Sequence, residues 1–215
     1  MVFEDRYDAG RRLAWLLERY REEQPVVLGL PRGGVIVAYE VARALGAPLD
    51  VLVVRKIGVP GADEFAMGAT AAGSTLVDAD LVRRLRIPPA VVDAIVRRET
   101  AEVHRREALY RGARAPLEVK GRTVLVVDDG LATGATAQAA VRALRAHAPR
   151  RIVFAAPVCS QDGAAALRAV ADAVECLECP IDMWAVGYWY RDFSATTDAE
   201  VIRCLRSDDL LRVPA

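Results

Sequence analysis

The clearest structural signal in the chain is residues 124–136, which read VLVVDDGLATGAT. The first four are apolar and rich in β-branched Val, which is typical of a strand buried on both faces of a sheet. A turn of Gly and other small residues follows, and helical spacing resumes after it. The segment therefore predicts a strand, a tight turn and a helix, the repeating unit of α/β proteins.

The same unit recurs along the chain. Short apolar runs predict five buried strands, at residues 25–30, 49–54, 123–127, 151–156 and 173–177. Helical patterns accompany them, at residues 5–21, 35–45, 137–146, 162–171 and 198–205. Because strands alternate with helices, we expect an α/β fold with a doubly wound, mostly parallel sheet. Residues 1–215 are expected to form a single domain.

Composition excludes several classes of protein. The 215 residues carry 29 Lys and Arg against 29 Asp and Glu, so the net charge is zero. A neutral chain lacks the bulk positive charge that nucleic-acid binding uses. The 53% hydrophobic content excludes disorder, and no apolar run approaches the roughly 18 residues of a membrane span. With no export signal visible, we expect a cytoplasmic protein whose four Cys are reduced thiols.

Residues 128–136 carry the chemistry of a candidate site. Asp128 and Asp129 follow the strand, at the carboxyl edge of the predicted sheet where ligands bind in α/β folds. The small residues after them let backbone amides converge on an anion at a helix N-terminus. These phosphate-loop positions are Ala132, Thr133, Gly134, Ala135 and Thr136. Carboxylates beside a phosphate loop suit a ligand with a phosphate at one end and sugar hydroxyls at the other.

This segment closely resembles the phosphoribosyl diphosphate (PRPP) motif of the type I phosphoribosyltransferases, in which a hydrophobic strand, two acids and a Thr-Gly turn follow one another. A plain turn with two solvated aspartates would match all thirteen positions only by coincidence. The resemblance implies transfer of phosphoribosyl from PRPP to a nitrogen nucleophile, with release of pyrophosphate. It also implies Mg²⁺, held mainly through PRPP oxygens rather than by protein ligands.

A second segment fits the same family. Residues 28–34, LGLPRGG, follow the first predicted strand, where the family places its pyrophosphate loop. Gly33 and Gly34 allow the backbone angles that such a loop needs, and Arg32 can grip phosphate oxygens with two hydrogen bonds. Taken alone, the segment is equally consistent with an ordinary strand-to-helix turn.

Arg55 and Lys56 end the second predicted strand and precede a Gly- and Pro-rich stretch, residues 57–63. They resemble the strand-end Arg-Lys pair and mobile catalytic loop of the adenine and orotate enzymes. The resemblance implies that Lys56 is catalytic, that Arg55 binds phosphate and that the loop excludes water from the reacting sugar. A solvated strand end is the alternative. A hairpin is predicted over residues 65–77.

Two further regions, residues 78–111 and 178–197, lie outside the strand and loop segments described above. Residues 78–111 predict a long charged helical insert, broken at Pro88, that acts as a lid, as a dimer element or simply as a solvated face. Residues 178–197 hold an aromatic cluster resembling the hood of the purine enzymes. The resemblance implies that Trp184 stacks on the base and that Asp192 makes a polar contact. A core flap or a dimer surface is the alternative.

The resemblance leaves the acceptor unassigned. Ala132 stands where the hypoxanthine-guanine branch carries an Asp base, and residues 157–161 lack the Lys with which that branch reads an oxopurine. Cys176 and Cys179 form a lone CxxC at a strand end, without the helical context of a redox site. With only His104 and His147 elsewhere, a zinc site would be short of ligands.

The sequence thus predicts a phosphoribosyltransferase whose partners are PRPP and a small nitrogenous acceptor, with Mg²⁺ and without nucleic acid or membrane. The catalytic residues are expected to be Asp128, Asp129 and Lys56. A homodimer is a family-level expectation. The alternatives are a regulator that binds PRPP without turnover, and an enzyme of a related phosphorylated sugar.

Overall fold

The computed structural model describes residues 2–71 and 73–207. In chain order the strands are β1 Val26–Gly29, β2 Leu49–Val51, β3 Val54–Val59, β4 Ala62–Ala71, β5 Ser74–Val77, β6 Thr123–Val127, β7 Arg151–Val158 and β8 Ala173–Glu178. The helices are α1 Arg6–Leu17, α2 Gly33–Leu45, α3 Ala79–Arg84, α4 Pro89–Arg111, α5 Ala135–Arg145, α6 Gln161–Arg168 and α7 Asp198–Ser207.

Five strands form the central sheet in the order β2-β1-β6-β7-β8, and every neighbouring pair is parallel. Alternate residues of each strand face opposite sides. Val27 packs with α1, α2 and α7, whereas Val26 and Leu28 pack with α5 and α6. Both faces are covered, which is why the central strands β1 and β6 are almost wholly apolar. The predicted α/β fold with a doubly wound parallel sheet is confirmed.

The second predicted strand, residues 49–54, is wrong in its extent. Strand β2 ends at Val51, and the chain leaves the sheet through the buried Leu52 and Val53. Strands β3, β4 and β5 then form a separate antiparallel meander. The predicted mobile loop at 57–63 is therefore the end of β3, its turn and the start of β4. Gly58 and the turn residue Pro60 interrupt the alternating pattern from which β3 could have been predicted.

The helical region at 78–111 is two helices, as its sequence predicts. Asp78 caps α3 by accepting a hydrogen bond from the amide of Leu81, and Pro89 occupies the first turn of α4, where a missing N–H costs nothing. Val92 of α4 packs on Ile57 and Met67 of the meander. At its far end, Arg111 is held by the buried carboxylate of Asp50 in β2, at 2.9 Å. Helix α4 thus joins the meander to the central sheet.

The expectation of four reduced thiols is wrong. Cys159, just after β7, forms a disulfide with Cys176 in the neighbouring strand β8, with Cα atoms 6.1 Å apart. Cys179 and Cys204 are outside this bond. The sequence argument rested on an expected cytoplasmic location and could not show that helix α6 returns the chain so that two cysteines meet on adjacent strands. Cys176 therefore pairs across the sheet and not within its own CxxC.

Among the helices of residues 2–71 and 73–207, none is long and apolar enough to cross a membrane.

We expect the Cys159–Cys176 bond to stabilise the fold. It closes a segment with a sequence separation of 17, for which loop closure is worth about 3 kcal/mol. In a chain of this size that is roughly 6–12 °C in unfolding midpoint. Cys176→Ser should therefore lower the midpoint measured by circular dichroism in non-reducing buffer. Cys179→Ser, three residues along and exposed, is the control and should not. Equal midpoints for both variants and the parent chain would contradict the stabilising role.

Candidate active site

The candidate site lies where the chain order of the sheet reverses. From β1 the chain passes through α2 to β2 on one side, and from β6 it passes through α5 to β7 on the other. Because β1 and β6 are neighbours, the two connections diverge and leave a crevice at the carboxyl ends of these strands. Such a switch point is where open α/β sheets bind ligands.

The crevice brings together two segments that the sequence identified separately. Gly33 and Gly34 begin α2, and Asp128 and Asp129 follow β6. A Cβ atom on Gly34 would lie 2.8 Å from the Cα of Asp128 and 2.9 Å from its Oδ1. A Cβ on Gly33 would overlap the carboxylate of Asp129. The loop after β1 therefore packs directly on the acid pair. At Gly34 the neighbouring backbone leaves room only for glycine, whereas a Cβ at Gly33 would displace the side chains of Asp129 and Arg6.

The predicted phosphate loop is anchored from behind by β7 and α6. Leu131 donates a backbone hydrogen bond to Val158, and the amide of Ser160 returns one to Leu131, both at 2.8 Å. The hydroxyl of Ser160 donates to the carbonyl of Ala132. Gly134 adopts the left-handed conformation, with φ of 75°, at the residue that caps α5.

This anchoring leaves the front of the loop open. The side chains of Thr133 and Thr136 are exposed, and the first amides of α5 have no partner within their own helix. Donors of both kinds are therefore available to an anion. All five predicted phosphate-loop positions, 132–136, lie together at this helix N-terminus.

The two acids differ in their surroundings. Burial, followed by repulsion from Asp129, raises the pKa of Asp128 well above its ordinary value, and the hydrogen bond from the amide of Asp129 only partly offsets this. Asp129 instead forms an ion pair with Arg6, whose Nε lies 2.7 Å from Oδ2. The phenol of Tyr190 donates to the backbone carbonyl of Asp129 at 2.6 Å. One acid is thus driven toward its neutral form while the other is paired with a cation.

Sequence reasoning missed Arg6 and the role of Tyr190. Arg6 stands in the first turn of α1, one of 29 basic residues, and nothing local distinguishes it. Tyr190 lies inside the predicted hood, but its hydrogen bond to Asp129 joins residues 61 positions apart and has no local sequence signal. Its ring packs between Phe3 and Phe193, with ring centroids 5.3 and 5.0 Å away.

The segment predicted to be the hood packs against Gly130, next to the acid pair. A short 3₁₀ turn, Val186–Trp189, sets Val186 over Gly130, where an added Cβ would lie 2.7 Å from Cγ2 of Val186. The hood is held to the start of the chain, because the amide of Phe3 donates to Trp189 and the amide of Arg191 donates to Phe3, both at 2.8 Å.

The two predicted base-binding residues are placed differently. Asp192 lies near Arg6, and hydrogen bonds from Ser194, followed by that guanidinium, lower its pKa. Trp184 is 91% exposed and lines a surface cavity of about 390 Å³ with other hood residues. The lining of that cavity includes neither acid. The structure therefore brings Asp192 toward the acid pair and sets Trp184 on the outer face of the hood.

The predicted cations are distributed around the crevice. Arg55 and Lys56 are successive residues of β3, so their side chains point to opposite faces. The Nε of Arg55 lies 2.8 Å from the buried carboxylate of Glu99 in α4, whereas Lys56 lines a cavity of about 410 Å³ with Ala135 of α5. Arg32, half exposed, lies 3.9 Å from Asp198. Lys56 is thus on the side of the phosphate loop and Arg55 is on the side of α4.

The donor set suits Mg²⁺ only together with a ligand. Within the described ranges, 2–71 and 73–207, no group of three or more His, Cys, Asp or Glu side chains could hold a metal ion. The hard carboxylate oxygens of the acid pair are compatible with Mg²⁺, but the remaining positions of its octahedral shell would have to come from phosphate oxygens and water.

Comparison with known proteins identifies the domain. The family model of the phosphoribosyl transferase domain matches residues 4–192. A Mycobacterium tuberculosis protein named "Putative phosphoribosyl transferase Rv0571c" is 46% identical over 205 residues, which is 95% of this chain and 46% of that protein. This chain therefore spans about half the length of that curated relative.

A solved structure shares the whole fold. The crystal structure of TT1426 from Thermus thermophilus has 43% sequence identity and a TM-score of 0.88, and the match covers 96% of this chain and 99% of that one. A more distant relative, the Bifunctional protein PyrR of Roseiflexus, is 32% identical over 50% of this chain and 55% of its own length.

We expect the acid pair to reduce stability through Asp128. Its folded pKa is raised above the ordinary 3.8, so the folded state loses stability as the pH rises from that value through the folded pKa. Asp128→Asn removes this cost and should raise the unfolding midpoint at pH 8. The gain should shrink as the pH is lowered toward 4.

Asp129→Asn is the matched variant and should lower the midpoint, since it breaks the 2.7 Å pair with an Arg6 side chain that is only 12% exposed. Thermal unfolding of both variants between pH 5 and 8 tests the pair. A less stable Asp128→Asn at pH 8 would show that burial of this carboxylate carries no cost.

Proposed function

Because this chain belongs to the phosphoribosyl transferase domain family, we propose that it transfers phosphoribosyl from PRPP to a nitrogen nucleophile, most simply a nucleobase, and releases pyrophosphate. The observation that carries the proposal is the packing of Gly33 and Gly34 on Asp128 and Asp129. It sets a glycine loop, an acid pair and an anion-binding helix terminus around one crevice.

The 5′-phosphate of PRPP binds, in this proposal, at residues 132–136. The free amides at the start of α5 and the exposed hydroxyls of Thr133 and Thr136 supply the donors. The helix dipole favours the negative charge. Ala132, Gly134 and Ala135 act through their backbone, and the small side chains leave room for the phosphate oxygens.

Asp128 and Asp129 hold the ribose hydroxyls. A charged carboxylate accepts a hydroxyl hydrogen bond more strongly than a neutral group does, and it also stabilises positive charge on the ring as the bond from C1 to the pyrophosphate oxygen breaks. The electron pair of that bond leaves with pyrophosphate, and the acceptor nitrogen supplies the pair of the new C1–N bond.

Pyrophosphate is held at the loop after β1. Gly33 and Gly34 of this loop pack on the acid pair, and Arg32, Arg55 and Lys56 are the cations that we assign to the departing charge. Mg²⁺, held by PRPP oxygens and water beside the carboxylates of the acid pair, would supply further positive charge against the leaving pyrophosphate. To reach pyrophosphate, Arg55 must leave its present partner Glu99. Hydrogen bonds from Arg55 and Arg98 hold the pKa of Glu99 below its usual range, although burial opposes this.

The surrounding segments close the site. We assign residues 178–197 as the hood over the base, with Asp192 as a polar contact and Trp184 as the stacking ring, which must turn inward from its exposed position. Residues 78–111 act as the lid, because α4 carries Glu99 and packs against the meander. We further propose that the chain forms a homodimer.

The direct test is release of pyrophosphate from PRPP and Mg²⁺ by the purified chain in the presence of a panel of purine, pyrimidine and other nitrogenous acceptors. Release that depends on one acceptor supports the transferase. Tight binding of PRPP without release for any acceptor would favour the regulator, and the absence of both would contradict the assignment. Binding of a related sugar phosphate, without binding of PRPP, would instead favour an enzyme that acts on that sugar.

We expect Asp129→Asn to lower turnover about 10²- to 10³-fold while the protein stays folded at the assay temperature, because it removes one charged contact that strengthens in the transition state. Steady-state release of pyrophosphate with the identified acceptor measures this loss. Glu22→Gln is the control, since Glu22 is exposed and precedes β1, at the other end of the strands. Full turnover by Asp129→Asn would show that this carboxylate does not act on the sugar.

A further inference from the structure

Arg6 contacts three parts of the crevice at once. Its Nε lies 2.7 Å from Asp129, and its Nη1 donates to the carbonyl of Ser194 in the hood at 2.8 Å. The guanidinium carbon lies 3.9 Å from the ring centroid of Phe193. A Cβ atom on Gly33 would lie only 2.6 Å from the Nε of Arg6, so the guanidinium is also packed against the loop after β1.

The charges around Arg6 are predominantly negative. It interacts electrostatically with Asp128, Asp192 and Glu200 in addition to its direct partner Asp129. A crevice with this many carboxylates repels a polyphosphate unless cations face the bound anion. Arg6 is nearly buried among them, with 12% of its side chain exposed, so a charge at this position is weakly screened and correspondingly effective.

The present partner of Arg6 conflicts with sugar binding. Nε donates to Oδ2 of Asp129, which is an acceptor that the ribose hydroxyls need. A guanidinium carries five donors in a planar fork and can leave a carboxylate for phosphate oxygens of similar geometry. The loop at Gly33, against which the group already packs, is where the proposed function seats pyrophosphate.

We propose that Arg6 is a pyrophosphate-binding residue, which holds Asp129 before PRPP binds and passes to the pyrophosphate oxygens when it does. This inference rests on the proposed function, because it uses PRPP as the ligand. Before PRPP binds, Arg6 balances the negative charge of Asp129 and connects the hood to the acid pair through its bond to Ser194. Once PRPP is bound, the sugar takes over Asp129, and the released guanidinium neutralises the leaving group.

The experiment compares three probes by isothermal titration calorimetry with Mg²⁺ present: PRPP, inorganic pyrophosphate and ribose 5-phosphate. We expect Arg6→Gln to weaken binding of PRPP and of pyrophosphate about 10- to 100-fold, the usual effect of losing a hydrogen bond between charged groups. Ribose 5-phosphate, which has no pyrophosphate, should bind as well as before or more tightly, because Asp129 is no longer occupied. Arg6→Lys should restore part of the pyrophosphate affinity through its charge.

Arg11→Gln is the matched control, because Arg11 lies in the same helix but is 56% exposed and 4.0 Å from its partner Asp8. It should bind all three probes like the parent chain, and circular dichroism establishes that every variant is folded. Unchanged pyrophosphate binding by Arg6→Gln would overturn the proposal, and so would an equal loss for ribose 5-phosphate, which would mean that Arg6 only positions Asp129. If the parent chain bound none of the probes, the proposed function itself would be wrong.

Discussion

The architecture of the site depends on direct contact between two backbone segments, the loop at Gly33 and Gly34 and the strand end at Asp128 and Asp129. β1 and β6 are adjacent parallel strands, so their carboxyl ends emerge side by side. A side chain on Gly34 would push the loop away from the backbone at Asp128, and a side chain on Gly33 would displace the carboxylate of Asp129 and its partner Arg6. The parallel register brings the segments close, and the missing Cβ atoms allow them to touch.

This contact has an electrostatic consequence that the rest of the site must accommodate. Packing a loop on two adjacent carboxylates removes water from one of them, and the pKa of Asp128 rises. The other carboxylate is paired with Arg6 in the first turn of α1, just after the segment that bonds to the hood at Phe3. The N-terminal segment, the hood and the acid pair are therefore one structural unit, although 123 residues of sequence separate Arg6 from Asp129.

The sequence was most informative where the structure of a segment is determined by its own local pattern. Residues 124–136 predict a strand, a turn and a helix from local pattern alone, and the structure has β6, the loop and α5 at these positions. It was least informative where a contact joins residues that are far apart in the sequence. Arg6 resembles many other surface arginines, and Cys159 meets Cys176 only because β7 and β8 are neighbours. The extent of the second predicted strand was wrong for a different reason, since a continuous apolar run does not show where the chain leaves one sheet for another.

The meander changes how the two predicted cations can act. Had Arg55 and Lys56 ended a parallel strand, both side chains could have turned toward the same ligand. As successive residues of β3 they face opposite sides, Arg55 toward Glu99 of α4 and Lys56 toward α5. Any movement of the meander that carries Lys56 over the phosphate loop must also act on the Arg55–Glu99 pair, and through it on α4. Because Arg111 fixes the other end of α4 to β2, such a movement would turn α4 about that anchor, so the meander and α4 are mechanically coupled.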